Sequence, residues 1–241
     1  MSVLALRIIA SLCMLLDHIG YCCGFEIPRY IGRLAFPIYM FLMVNGFHHT
    51  KNRTRYALRL ALFALLSQIP FSLMCYGRAF HPRLNVMATL LMGLLVIWAG
   101  EVLRQHKKLR YICLLPAMVL YSVCYLGWIQ SDYDCKGIVM AVFFWYFYGK
   151  KPWIAVGLFL GIWNRHIASL LPDALYGRET PVPTQWQMTQ MLSLLSLPLI
   201  YLYNGKPGTL PQSPTGKKLV QLAFYAFYPV HMLVLWFLFR R

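Results

Sequence analysis

Charged side chains are scarce in this chain, 12% of 241 residues, and acids are the scarcest: seven Asp and Glu stand against 23 Lys and Arg. A soluble globular domain carries about twice that share of charge, so an ordinary water-facing surface is excluded. No Cys-x-x-Cys pair and no Cys/His set with ligand spacing occurs, and no metal site is expected. The seven cysteines fall mostly in apolar runs and read as small buried hydrophobes, with an acylated Cys22-Cys23 pair as the other reading. No Ser-His-Asp set stands in a hydrolase context. The run 3–16 carries Arg7 and lacks a small-residue cleavage site followed by a soluble body, so it reads as a spanning helix rather than a removable leader. The second half does not repeat the first, and no matched pair of broken helices is visible, which argues against a transporter built on inverted repeats.

What the chain has is apolar length: 59% of its residues are hydrophobic. At about 20 apolar residues per crossing, nine segments qualify: roughly 3–22, 31–48, 57–76, 85–101, 111–129, 136–149, 152–171, 187–203 and 219–239. The expected fold is therefore an all-α, polytopic transmembrane bundle of about nine spans, eight to ten being compatible, in one domain over 1–241. The short sixth segment and the seventh, with Asn164, Arg165 and His166, are the weakest. Basic residues occupy alternate loops: Lys51, Arg53, Arg55 and Arg59; Arg104, Lys107, Lys108 and Arg110; Lys150 and Lys151; Lys206, Lys217 and Lys218. By the positive-inside rule these face the cytoplasm, which places the N-terminus inside and, with nine spans, the C-terminus outside. In a soluble protein such charge would suggest nucleic acid; in short membrane loops it does not. Residues 172–186 and 204–218, rich in Pro and Gly, read as an outer loop and a cytoplasmic connector.

Polar groups inside the spans are few and costly, and such groups mark sites or pathways. Alternatively they anchor helix ends at the interface. Arg7, Ser11, Met14 and His18 recur at i, i+4, i+7 and i+11, on one stripe of the first helix. Asp17 points off that stripe, so it or His18 needs a partner from elsewhere, with Arg33 nearest in sequence. Pro37 leaves the Arg33 carbonyl without its helical donor and predicts a kink there. Asn45, His48 and His49 end the second span. Ala57, Ala61, Ala64 and Gln68 form a small-residue stripe, and Asn85, Thr89 and Gly93 a polar-to-small face, both suited to bundle contact. Gly157 and Gly161 form a GxxxG contact face. Ser131-Asp132-Tyr133-Asp134 reads as a solvated turn. In the last span Gln221, Tyr228 and His231 share a face beside Pro229, which places His231 inside the bundle.

The blocks MLLDHIG, IGRLAFPIYMFLMVNGFHHTKNRTRYALRL, LFALLSQIPF, LNVMATLLMGLL and FYAFYPVHM, in this order, resemble the signature blocks of the TraX family of bacterial membrane proteins. The family is named for a conjugative-plasmid protein that acetylates the N-terminus of pilin, and it is grouped with integral-membrane acyltransferases that use acyl-CoA. The resemblance implies a multi-pass protein of the cytoplasmic membrane that transfers an acyl group, with acetyl-CoA drawn from the cytoplasm as donor. It covers Asp17, His18, Arg33, His48, Asn85 and His231. The chain departs from the pattern at Asn45, where the family commonly has an acid, and at Asp134, where it commonly has glycine.

Acyl transfer from a thioester needs a base, an oxyanion donor and a site that excludes water. The expected assignment makes His231 or His18 the base, with the other orienting the acceptor; Asp17 fixes an imidazole tautomer, and Arg33 or Asn85 stabilises the oxyanion. An acyl-histidine intermediate is the alternative. The loop carrying His48, Lys51, Arg53, Arg55 and Arg59 is the expected binding site for polyanionic coenzyme A, unless those residues only set topology and hold anionic lipid. A pilin-like peptide, a glycan and a lipid are all open as acceptors. The competing classes are a proton-coupled transporter and a scaffold without chemistry.

Overall fold

A computed structural model describes residues 1–175, 185–209 and 213–239; at helical positions 165, 168–175, 185–187 and 214 it describes the backbone alone. Every regular element among the described residues is helical, apart from an isolated bridge between Leu84 and Ser131. Helix α1 (Val3–Cys23) starts at Ser2, whose hydroxyl accepts from the Ala5 amide, and stops at Gly24, in the left-handed conformation at φ 74°. The second predicted span is two helices, α2 (Glu26–Gly32) and α3 (Ala35–His49). The expected kink is thus a break at Arg33-Leu34. Pro37 falls in the first turn of α3, where its missing N–H has no intrahelical acceptor to leave empty.

Helix α4 (Arg53–Tyr76) runs through Pro70, and α5 (Val86–Gln105) follows a cap at Asn85. Then come α6 (Leu115–Tyr125), α7 (Asp134–Tyr146), α8 (Lys151–Leu175), α9 (Gln185–Gln190), α10 (Ser196–Tyr201) and α11 (Pro214–Phe239). Among the described residues five stretches are long and apolar enough to cross a membrane: α1, α2–α3 together, α4, α5, and Thr215–Phe239 of α11. The remaining expected spans fall short of this standard. Helices α6 and α7 have 11 and 13 residues, and 187–203 is divided among α9, a 3-10 turn and α10. Of the loop expected at 172–186, residues 172–175 continue α8 and 185–186 open α9, while 176–184 lie outside the described residues. Of the connector, 210–212 lie outside them.

The α2–α3 stretch is the most enclosed of the five. The expected small-residue faces pack as contact surfaces. A Cβ on Gly157 or Gly161 of α8 would lie 2.3 Å from Phe143 or 2.6 Å from Met140 of α7, and one on Gly137 of α7 would lie 2.4 Å from Thr89 of α5. The basic loops gather at one end. There His48 stacks on Tyr148, Arg104 packs on Trp145, Lys151 on Tyr201, and the Lys206 carbonyl accepts from the Val3 amide. Asp17, Asp132 and Asp134 line a cavity at the other end.

Gly32 sets the spacing of α1 and α2. A Cβ there would come 2.2 Å from the Asp17 Cβ, so only glycine lets the helices meet at this point. Gly32→Ala should therefore cost about 1–3 kcal/mol of overpacking, read as a lowered unfolding midpoint in detergent. The exposed Ile27→Ala should leave the midpoint unchanged. Equal midpoints for the two would mean that α2 does not depend on this contact.

Candidate functional site

His18 of α1 and His231 of α11 meet at 2.6 Å, Nδ1 to Nε2, across 213 residues of chain. Their ring centroids are 4.9 Å apart and their planes 10° apart. With so short an N···N contact, that separation sets the rings edge to edge in one plane, where lone pair and N–H point at each other, rather than face to face. The His231 Nδ1 lies 2.6 Å from the Phe227 carbonyl, one turn earlier in α11. A carbonyl only accepts, so Nδ1 carries the hydrogen. In a neutral pair this determines the rest: His231 Nε2 accepts, His18 Nδ1 donates, and the lone pair of His18 resides on Nε2. The described residues provide no hydrogen bond to that nitrogen, and His18 lines two adjoining cavities.

Asp17, one residue earlier, points elsewhere, as helical geometry requires. It pairs with Arg33, the partner nearest in sequence, in an ion pair that is almost wholly buried on the arginine side. The Arg33 Nε also donates to the Arg29 carbonyl at 3.1 Å. Asp17 therefore does not fix an imidazole tautomer; the Phe227 carbonyl does. The Arg33 guanidinium, directed at Asp17 and the Arg29 carbonyl, is likewise held by the protein at the position expected to stabilise an oxyanion.

The turn that reads in sequence as solvated carries a third part of the site. Ser131 accepts hydrogen bonds from Thr89 and from the Asp134 amide at 3.0 Å each, and the Leu84 amide donates to Gln130 at 2.9 Å. Asp134 takes a positive φ of 36°, at the position where glycine is commoner, and its carboxylate accepts from the Ser131 amide. This anchoring presents Asp132 and Tyr133 to the same cavities as His18 and Asp17. The Tyr133 ring lies flat on Phe36, with centroids 3.5 Å apart. Burial raises the Tyr133 hydroxyl well above its usual value against the pull of Arg33, so it stays a donor. Asp132 opens toward the cavity. The protein around it pushes its carboxyl up to about 6, against the pull of Arg83 and Arg33. Neither residue contrasts with its neighbours in sequence; a loop tied to a buried Ser131 is visible only in three dimensions.

The polar cavity holds about 380 Å³ and is bordered by Asp17, His18, Arg29, Arg33, Arg83 and Asp132. His18 also borders a smaller cavity of about 40 Å³, and Tyr39, Met87, Leu90 and Phe224 are walls common to it and to a third, of about 70 Å³, bordered by Arg7, Tyr56 and Gln221. Of the last-span face, Gln221 and Tyr228 line this series and His231 pairs with His18, as the spacing predicts.

Asn85 is not at the site. It is fully buried, its Oδ1 caps α5 by accepting from Met87 and Ala88, and its Nδ2 donates to Ala64 at 2.7 Å and Gln68 at 2.9 Å. With these bonds made it is a helix cap, and its expected oxyanion role is withdrawn. His48, Lys51, Arg53 and Arg55 are also apart from the histidines. The thirteen residues between Leu34 and His48 are helical, so about 20 Å of rise separates the two ends. His48 is committed to Tyr148 and Arg53 to Phe47, at 4.0 and 4.3 Å. No group of three or more His, Cys, Asp or Glu able to hold a metal occurs among the described residues.

Comparison with known proteins places the whole chain in a family. A probable fimbrial assembly protein, FimC of serogroup H1 from Dichelobacter nodosus, is 26% identical over 257 aligned residues, which cover 97% of this chain and 94% of that protein. No solved structure matches significantly. The family model described as TraX protein matches residues 2–239, and the chain belongs to the TraX family.

Proposed function

We propose that the protein is an integral-membrane acyltransferase that moves an acetyl group from acetyl-CoA to an amine or hydroxyl acceptor, with His18 as general base. The observation that carries this reading is the histidine pair, whose hydrogen bonds leave a lone pair on Nε2 of His18, a residue that borders both the polar cavity and the smaller one. On this reading the basic end lies at the cytoplasm of a bacterial inner membrane, and α6–α10 complete the crossings that the five long stretches begin. The name of the Dichelobacter relative, a fimbrial assembly protein, makes a pilin-like peptide N-terminus the first acceptor to test.

His18 takes the proton of the attacking nitrogen as that nitrogen bonds to the acyl carbon. The resulting imidazolium shares its charge with His231 through the Nδ1–H it already donates. Tyr133 donates its hydroxyl hydrogen to the oxyanion that receives the carbonyl electron pair. When the carbon–sulfur bond breaks, the pair leaves with sulfur, and His18 returns the proton to it. An amide and a thiol result, and both histidines are again neutral. Asp132 is placed to hold a cationic or hydroxyl-bearing acceptor beside His18.

In nanodiscs with acetyl-CoA and a panel of peptide, glycan and lipid acceptors, His18→Ala should lower kcat about 10²–10⁴-fold. His231→Ala should lower it less, and the double variant should be no worse than His18→Ala, because the pair acts as one unit. A His18→Ala enzyme with wild-type kcat would remove the proposal. Tyr133→Phe should reduce kcat by about 10²-fold with little change in KM.

Asp132 generates a pH test. Its folded-state value is raised above the ordinary carboxylate, so ionisation costs the folded state stability as pH rises from about 4 through about 6. Asp132→Asn should raise the unfolding midpoint at pH 8 and leave it unchanged at pH 4. In the same variant KM for an amine acceptor should rise, and the fall in kcat/KM below about pH 6 should be lost. An unaltered pH profile would take Asp132 out of acceptor binding.

A further inference from the structure

Two half-buried arginines, Arg7 and Arg59, stand in the second turns of α1 and α4. Arg7 borders the third cavity with Tyr39, Tyr56, Gln221 and Tyr225. Its guanidinium packs 5.8 Å from the Phe224 ring, and no described carboxylate forms an ion pair with it. Arg59 of α4 approaches the same lining from the other side. It stands 5.8 Å from the Tyr56 ring and close to Tyr225, while its Nε is buried without a partner. Among the described residues no acid borders this cavity. Asp17 and Asp134 are paired with arginines of the far end, and Glu101 with Arg104 and the Trp145 indole.

Two half-buried guanidiniums turned toward an apolar-walled cavity lose hydration without an anion, and a cation–π contact worth about 1 kcal/mol returns only part of it. Arg7 borders the cavity although it stands near enough to the helix end to snorkel. The Tyr225 hydroxyl and the Gln221 amide add donors suited to phosphate oxygens, while Tyr39 is paired with Ser11 and Tyr56 donates to the Met43 carbonyl. Register supplies the second constraint. Arg7 and His18 share one stripe of α1, eleven residues and about 16 Å apart, and the cavities beside them share Tyr39, Met87, Leu90 and Phe224 as walls. That span is comparable to an extended phosphopantetheine arm, with phosphate at one end and thioester at the other.

We infer that the cavity between Arg7 and Arg59 binds a phosphate of the acyl donor, and that the narrow apolar passage leads the thioester to His18. The inference rests on the acyl-transfer reading and replaces the 51–55 loop with the bundle interior as the anchoring site. Lys51, Arg53 and Arg55 then serve orientation and encounter.

The test is equilibrium binding to the full chain in phosphatidylcholine nanodiscs, with acetyl-CoA, S-acetyl-4′-phosphopantetheine and phosphate-free S-acetylpantetheine as probes. Wild type should bind the two phosphate-bearing thioesters at least tenfold more tightly than S-acetylpantetheine. Arg7→Gln and Arg59→Gln should each weaken those two tenfold or more and leave S-acetylpantetheine unchanged. Arg7→Lys should recover part of the loss, and Arg53→Gln/Arg55→Gln should lose less. The unliganded midpoint of Arg7→Gln should equal or exceed that of wild type, since an unpaired charge has left the bundle. Wild-type acetyl-CoA affinity in both single variants, with turnover intact, would overturn the site and leave acyl transfer standing. Phosphatidylglycerol that stabilises wild type but neither variant, without competition from acetyl-CoA, would assign the arginines to a lipid headgroup and overturn it too. A wild-type protein that binds none of the thioesters would bring down both this inference and the reading beneath it.

Discussion

The hydrogen bond between His18 and His231 joins the first long helix to the last. In water a net gain of about 1 kcal/mol would be its whole effect; among apolar side chains the larger quantity is the penalty for leaving either ring unpaired. The bond therefore sets register more than it adds stability. It fixes how far α11 slides along α1, and through the Phe227 carbonyl it fixes which nitrogen of each ring carries hydrogen. Every assignment at the site descends from that one acceptor. A carbonyl has no proton to give, so the direction of the chain of bonds from His18 to Phe227 cannot reverse while both rings are neutral.

The ion pair of Asp17 and Arg33 complements this arrangement. It keeps a carboxylate next in sequence to His18 from competing for the imidazole, and it lodges a cation where Tyr133 and Asp132 meet the cavity. The break between α2 and α3 makes that possible. A continuous helix through Arg33 would carry Pro37 in its interior, whereas the break lets Pro37 occupy a first turn and leaves Arg33 on a short, reoriented segment. Gly32 completes the fit, because the close approach of α2 to Asp17 leaves no space for a side chain.

His18, Arg33, Asp17 and His231 were legible in the sequence because each interrupts an apolar run, and a polar group in such a run requires a partner or a purpose. The helical stripe from Arg7 to His18 and the Gln221–His231 face were legible for the same reason, as periodicity survives into three dimensions. Asn85 misled because a helix cap and an oxyanion donor use the same amide, and only the bonds to Met87, Ala88, Ala64 and Gln68 separate the two. The distance of the 51–55 loop from the histidines was hidden because nearness in sequence to Arg33 conceals the length of α3 between them. Asp132 and Tyr133 lay in a polar turn with no apolar contrast, and their placement depends on Ser131, which the sequence does not mark as buried. Where apolar composition continued through short or broken helices, at α6, α7 and 187–203, the sequence did not show how the apolar run is divided.

The shape of the passage bears on the choice between enzyme and transporter. Its neck is formed by Tyr39 of α3, Met87 and Leu90 of α5 and Phe224 of α11, side chains of three helices whose positions relative to α1 are held by the histidine bond and by the Ser11–Tyr39 hydrogen bond at 2.7 Å. A transporter must open such a neck for its whole substrate to pass, which would require these helices to part and would break the bonds that set the site. A transferase needs only a thin chain to reach the histidine from one side and an acceptor to arrive from the other. For the proposed transferase the narrow neck would have a direct chemical use: it would admit an extended arm while excluding the water that hydrolyses a thioester. The wide polar cavity lies on the side where acceptors of different size can be accommodated. Width on one side of His18 and constriction on the other therefore favour group transfer across the bundle over passage through it.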